Sequence, residues 1–438
     1  MASHLDDVKK QTEEELARAN LPSFTFAELE AKFNEVLLIE DKGIVKLLTG
    51  IYIGNFLNAD PVWVLLSGAS GGGKTEFIQS FKKCKSVLTI SSLTPQTFAS
   101  GMSGKKDVSL LTNLGKEPWV FTFKDFTTIL QMNKDGQKEI MSQLREIYDG
   151  NYKKIFGTGK NVDWKGKIGF IAGTTPIVDM TLAGFSSMGE RFIQYRLEQP
   201  DRKEVTRRSM KNTNKMTQYR EELQNAFAGY MKTVVYPENP PELPEEISEE
   251  IVEIANFVTL ARSPVIRGFD TKNEIVYKPE SEMPTRMANQ LRTILQSFMV
   301  INGGEILDID KKIIHKIAFD SISQTRRIVL RGLARFNPNE IETAELATLL
   351  GYPTETIKKY VEDLAMLGVV KRIKQGKGKA DLWSLEDEWQ KIMIQYDGIE
   401  SLSREEQLRI ETEEILQAES TREEIPEDIN PESLFEER

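Results

Sequence analysis

The stretch that most constrains this chain is Gly68-Ala69-Ser70-Gly71-Gly72-Gly73-Lys74-Thr75, set between the apolar run 62–66 (Val-Trp-Val-Leu-Leu) and a helix-like run from Glu76 to Phe81. The pattern is G-x-x-x-x-G-K-[ST] in the context it requires: a buried strand, a tight loop, then a helix start. Consecutive small residues let a backbone fold around a phosphate with its N–H groups pointing inward. The helix that follows turns its positive end to the same anion. Gly68 through Gly73, with Lys74, Thr75 and the first helical residue Glu76, are therefore expected to line a phosphate cradle. In it Lys74 reaches the terminal phosphates of a nucleoside triphosphate and the Thr75 hydroxyl ligates Mg²⁺. The bland alternative is a glycine-rich turn followed by a chance Lys-Thr.

The 438 residues leave room for about three domains and one large α/β unit. No apolar run approaches the roughly 18 residues that cross a membrane, and Met1–Asp7 carries neither the basic nor the apolar region of a signal peptide. The single cysteine, Cys84, excludes an internal disulfide and fits a reducing cytoplasm. His4 and His315 are the two histidines and lie far apart, so no transition-metal site is expected. The net charge of −10 hides an asymmetry: residues 385–438 hold 18 acidic and 5 basic side chains, a balance of −13, which leaves +3 for residues 1–384. The acidity belongs to the tail, and a polyanion partner for the body stays open.

Residues 1–24 read as a polar arm. Phe26, Leu29, Phe33, Val36, Leu37 and Leu38 recur at helical spacing, a second apolar helix runs from Ile44 to Phe56, and Ser86–Ile90 reads as a strand. The run Trp119–Phe126 is a buried strand ending in the carboxylate Asp125. Such an acid helps hold Mg²⁺, often beside a second acid that aligns water. The register is ambiguous here. If Asp125 is on the magnesium side, the water-aligning position holds Phe126; if Asp125 is the second acid, Lys124 stands in place of the first. A plain strand end with a solvated Lys-Asp pair is the alternative. Residues Lys138–Tyr148 read as a helix and Asp149-Gly150 as a turn. A further buried strand, Lys167–Gly173, ends in Thr174, Thr175 and Pro176. Thr174 or Thr175 can contact a γ-phosphate or an attacking water, or merely cap a strand.

Arg191, in Gly189-Glu190-Arg191-Phe192, precedes an apolar run and suggests a strand at a domain edge. An arginine there can stabilise transition-state charge on a neighbouring subunit, or form an internal salt bridge. Residues 201–235 are basic and helical in pattern, 237–246 are proline-rich, and helices resume at 249–261 and 285–300. Arg286 opens the last of these, where it can point back at a bound nucleotide. Residues 321–384 read as helix, short helix, turn, longer helix, then two strands around the lysine-rich Lys374–Lys379. A helix–turn–helix followed by a two-stranded wing matches a winged helix that touches DNA phosphate. Other winged helices bind proteins, and Glu362 and Asp363 make the longer helix less basic. The tail beyond Tyr396 is acidic, with a helix expected at 405–417 and disorder at 419–438.

The order of these pieces resembles an AAA+ ATPase over residues 25–384, and within that superfamily the DNA-handling ATPases of phages and mobile elements. The lid and winged helix are similar in layout to minichromosome maintenance helicases. The resemblance implies an α/β, P-loop AAA+ core, a parallel sheet flanked by helices, over 25–235. A helical lid over 236–320, a winged-helix domain over 321–384 and an acidic tail over 385–438 follow. It further implies that Asp125 is the Walker B acid, Thr174 or Thr175 sensor 1, Arg191 the arginine finger and Arg286 sensor 2, with ATP and Mg²⁺ bound. The chain departs from the family at Lys124-Asp125-Phe126, where the family carries Asp-Glu; Glu146 is a candidate substitute for the missing glutamate. The expected activity is that of an ATP-driven, homo-oligomeric DNA-processing protein in the cytoplasm, of the helicase or helicase-loader type. Its rivals are an ATP-dependent switch that recruits a protein partner through the acidic tail, and a winged-helix transcription regulator.

Overall fold

The structure is a computed structural model and describes residues 20–100, 109–181, 191–198, 201–268, 275–277, 280–336, 339–376 and 378–398. Most of the expected N-terminal arm, Gly189 and Glu190, the Asn337-Pro338 break, Lys377 and the acidic tail beyond Gly398 lie outside the described residues. The chain divides into two units, one of residues 1–266 and 279–323, the other of residues 267–278 and 324–438.

The first unit begins with α1 (Phe26–Val36), which opens on a capping box between Thr25 and Glu28. Next comes the mainly apolar α2 (Ile44–Phe56), buried from Ile44 through Asn55, with its buried Lys46 paired to Asp310. Strand β1 (Trp63–Ser67) leads through the glycine loop into α3 (Lys74–Gln79). Then follow β2 (Val87–Ile90), α4 (Leu110–Leu114), β3 (Trp119–Phe123), α5 (Thr127–Leu130), α6 (Lys134–Tyr148), and a hairpin of β4 (Asn151–Ile155) and β5 (Asn161–Lys165). Strand β6 (Ile168–Thr174), α7 (Val178–Thr181), β7 (Ile193–Arg196), α8 (Arg202–Asn212), α9 (Met216–Met231) and α10 (Glu245–Arg262) continue the chain. After a ribbon of β8 (Ile266–Arg267) and β9 (Ile275–Tyr277), which from Arg267 onward belongs to the second unit, helices α11 (Thr285–Ile301) and α12 (Asp308–Asp320) end the first unit.

Strands β2, β3, β6, β1 and β7, in that spatial order, make one five-stranded sheet, and every pairing is parallel. β1 and β6 are buried at every position, the run of apolar residues expected of strands covered on both faces. One face is aromatic: Phe170 sits 5.2 Å from Trp63, 5.5 Å from Phe192 and 6.1 Å from Phe126, centroid to centroid. Because all five strands run the same way, Ser67, Phe123, Thr174 and Arg196 reach the same edge of the sheet. The β4–β5 hairpin was not anticipated. Its alternation, with Tyr152, Val162 and Trp164 buried between exposed residues, is that of a half-buried antiparallel ribbon.

The second unit has α13 (Gln324–Phe336), β10 (Ile341–Glu342), α14 (Thr343–Leu350), α15 (Thr354–Met366), β11 (Val370–Ile373), β12 (Leu382–Leu385) and α16 (Asp387–Tyr396). β12 lies between β10 and β11 in an antiparallel sheet. The two acids of α15 are held internally: Arg267 pairs with Glu362 at 3.3 Å and with Asp363 at 2.7 Å, and Arg326 with Asp363 at 3.5 Å. No helix among the described residues is long and apolar enough to cross a membrane.

Lys167, just before β6, donates to Gly54 O at 3.1 Å and Leu57 O at 2.8 Å, satisfying carbonyls at the end of α2. Burial pushes its ammonium down to about 8, against the pull of Asp60. A depressed folded-state value means that between pH 8 and 10.5 the unfolded chain keeps a proton the folded chain has lost, so stability rises with pH across that window. Urea unfolding of the native chain and Lys167→Met should show the native chain gaining about 1–2 kcal/mol relative to the variant between pH 7.5 and 9.5. A constant difference would contradict this.

Candidate phosphate site at the sheet edge

The loop between β1 and α3 takes left-handed backbone at Gly71 (φ +79°) and Gly73 (φ +81°), which only glycine adopts without strain. A Cβ built on either residue would meet nothing within 4 Å, so neither glycine is required by crowding and the backbone conformation alone calls for it. The loop is tied down at Gly68, whose N–H donates to Thr174 O at 3.3 Å. The Lys74 ammonium donates to Gly68 O and Ala69 O, each at 2.7 Å, and so lies over the loop it is expected to serve. Its burial lowers the ammonium's pKa, while the Asp125 carboxylate pulls the other way. Ser70 and Thr75 are exposed at the rim.

Glu76 takes no part in the cradle. Its N–H donates to Gly73 O at 3.0 Å, and its carboxylate accepts both Arg220 Nε at 2.8 Å and Nη2 at 2.7 Å. The expected ligand is a strut between α3 and α9.

Asp125 follows β3, two strands from β1, with the tip of β6 between them. Its Oδ1 accepts the Thr127 N–H at 3.0 Å, and the Thr127 hydroxyl lies 3.4 Å from that of Thr175 and accepts the Thr175 N–H at 3.3 Å. Of the two threonines left open by the sequence, Thr175 is the one that reaches Asp125's turn, through Thr127. Thr174 is buried, its hydroxyl donating to Thr175 O at 3.2 Å. Thr127 was missed; the signal was a threonine two residues after an aspartate, a local side-chain-to-backbone turn.

The register ambiguity at Asp125 ends with no second acid on either side. Phe126 is fully buried in the aromatic face, 5.2 Å from the Phe192 ring, and Lys124 is exposed. Glu146 does not replace it. It lies in the last turn of α6, beside Tyr148, whose ring packs 5.3 Å from Trp63 at the start of β1. That is the opposite edge of the sheet, roughly 16 Å away along a five-residue strand.

Arg191 and Arg286 are at that opposite edge too. Gln290 of α11 accepts the Trp63 N–H at 2.9 Å and donates to Arg191 O at 3.0 Å, which fixes the first turn of α11 and the entry to β7 beside the start of β1. Arg286 therefore cannot point back at the loop of its own chain, and its guanidinium faces Glu282 at 3.6 Å. Arg191 forms the internal salt bridge that stood as its alternative: Nη2 lies 3.1 Å from Asp149 Oδ2, and its side chain is 10% exposed. Burial and the charge of Arg286 lower its pKa.

The arginine at the loop's edge is Arg196, which sequence reading passed over. It lies opposite Ser67 in the ladder, donates to Asp179 Oδ2 at 2.8 Å and Oδ1 at 2.6 Å, and to Ile322 O at 3.0 Å. Its own N–H donates to Asp320 Oδ2 at 2.8 Å, and Lys316 donates to Arg196 O at 2.7 Å. The clasp ties α7, β7 and α12 together. Its partners are scattered through the sequence, and nothing local marks it.

No protein-family model matches the chain, and no curated protein matches it. Among solved structures it is similar to "The A form apo structure of NrS-1 C terminal region-CTR", at 10% identity and a TM-score of 0.30, over 74% of this chain and 75% of that one. A likeness of this size carries no argument about function.

The close approach of β3 and β6 is sensitive to one residue. A Cβ at Gly173 would stand 2.6 Å from Lys124 O and 3.0 Å from the Ile78 side chain. Gly173→Ala should therefore cost about 1–3 kcal/mol in denaturant unfolding, and should weaken any nucleotide uptake beyond that measured for Gly157→Ala, at a position with open space around it. Equal behaviour of the two variants would show that the tips tolerate separation.

Proposed function

We propose that the chain is an ATP-binding, ATP-hydrolysing protein of the AAA+ type that acts on DNA as a homo-oligomer, in the manner of a helicase or helicase loader. One observation carries the reading: Gly68–Lys74, Asp125 and Thr175 meet at the carboxyl edge of one parallel sheet, where open α/β sheets bind their ligands. The site fits Mg·ATP. The glycine loop has the left-handed turns a phosphate cradle needs, its lysine can exchange two carbonyls for phosphate oxygens, and Thr75 and Asp125 would supply the few protein oxygens that Mg²⁺ takes alongside phosphate and water. Mg²⁺, when bound, neutralises charge on the transferred phosphoryl group. Lys74 binds and orients the phosphates, and Thr127 bridges the Asp125 turn to Thr175 at the tip of β6.

The reading of the second unit as a winged helix is supported by three helices, the antiparallel β10–β12–β11 sheet and the exposed Lys371, Lys374 and Lys379 around its hairpin. The acids of α15 that weigh against DNA are neutralised by Arg267 and Arg326. Of the two arginines expected to act on phosphate, Arg286 is the one with an open guanidinium, 38% exposed, and an oligomer can offer it to a neighbour.

A second reading, a slowly turning switch that recruits a partner, is favoured by the missing second acid at Lys124 and Phe126. Turnover separates the two: a motor is accelerated by DNA and a switch is not.

Lys74→Ala should weaken ATP binding by about 10–100-fold in Kd, the value of charge-assisted hydrogen bonds, in calorimetry with magnesium. Asp125→Asn should retain binding while lowering hydrolysis by about 100-fold. Uptake unaffected by Lys74→Ala would reject the nucleotide site, and hydrolysis unaffected by Asp125→Asn would reject its metal role.

A further inference from the structure

Helix α8 (Arg202–Asn212) has no apolar face to bury; Asn212 is its one buried residue. It is anchored to the last turn of α1 by polar contacts. Arg208 donates to Asn34 O and, at 2.6 Å, to Glu35 O, and Asn212 Nδ2 donates to Val36 O at 3.2 Å. On another side of the helix, Lys203, Arg207 and Lys211 recur every four residues, all exposed, and Lys215 continues the interval in the next 3₁₀ turn. At 3.6 residues per turn this stripe stands roughly 120° round from the anchors, with about 6 Å between members. The one carboxylate inside the helix, Glu204, is taken by Arg207.

Like charges at this spacing repel along a helix, and a helix with no buried apolar face gains little from packing to offset the repulsion. The arrangement is relieved by an anion that meets the stripe along its length. We propose that Lys203, Lys211 and Lys215, flanking the Glu204-paired Arg207, form a docking surface for the phosphate backbone of duplex DNA, engaged without base readout. The inference rests on the DNA-handling reading above and gives it a surface within the nucleotide-binding unit. Charge complementarity supports this occupant: lysines contact phosphate without reading sequence, while the centres of protein–protein interfaces are depleted of lysine. Met210 is the only large exposed apolar residue on the helix.

The test uses the full chain and a 20-base-pair duplex of mixed sequence, with binding followed by anisotropy between 50 and 200 mM NaCl. The native chain is compared with K203A/K211A/K215A and with K203R/K211R/K215R. Each lysine removed should reduce the slope of log K against log[salt] by about 0.9, nearly 3 for the alanine variant. The arginine variant should keep the native slope, and ATP uptake should be unchanged in both. An alanine variant with native slope and affinity overturns the surface. So does one that loses binding to polyglutamate but not to the duplex, since that outcome assigns the stripe to an acidic protein. If the native chain binds no duplex at 50 mM salt, the DNA reading itself fails, a result distinct from either of these.

Discussion

Two backbone hydrogen bonds make a site at this sheet edge. Phe126 N–H donates to Gly173 O at 2.7 Å, and Gly68 N–H donates to Thr174 O at 3.3 Å. Both extend the parallel ladder beyond the strands proper, so the tip of β6 holds the turn carrying Asp125 on one side and the glycine loop on the other. Gly173 has no side chain, and the Lys124 carbonyl fills the space that a Cβ would take. Without that approach the carboxylate and the lysine would belong to separate surfaces.

The two edges of the sheet divide the charged groups between them. The carboxyl edge carries Lys74, Asp125, Thr175 and the Arg196 clasp. The amino edge carries Arg191, Arg286 and Asp149 near the Tyr148–Trp63 contact, with Glu146 exposed in the last turn of α6. A parallel sheet separates its edges by the length of its strands, so no side-chain rotation moves a group from one set to the other. The arginines at the amino edge can serve a phosphate only if another molecule brings it there. Arg191, enclosed with Asp149, is shaped for stability instead.

The Arg196 clasp gives the first unit its continuity. One guanidinium joins the helix after β6, the last strand of the sheet and the end of α12, just ahead of the boundary at Ser323. The β4–β5 hairpin, by contrast, is an addition to the frame, with exposed Lys153, Lys165 and Ile155.

The sequence by itself determined what depends on neighbours in the chain. The glycine loop needs eight consecutive residues, α1 its capping box, α2 its predominantly apolar run, and β1, β3 and β6 their buried residues. Each is a local choice of backbone, and each is legible from residue type and spacing. Only the tertiary structure decided which charges meet. Glu76 turned to Arg220, Arg191 to Asp149, Thr175 rather than Thr174 to Thr127 beside Asp125, and Arg196 to partners as far away as Ile322. The reason is physical: strand order and direction set the edge on which a residue emerges, and those are fixed by pairings between segments far apart in the chain.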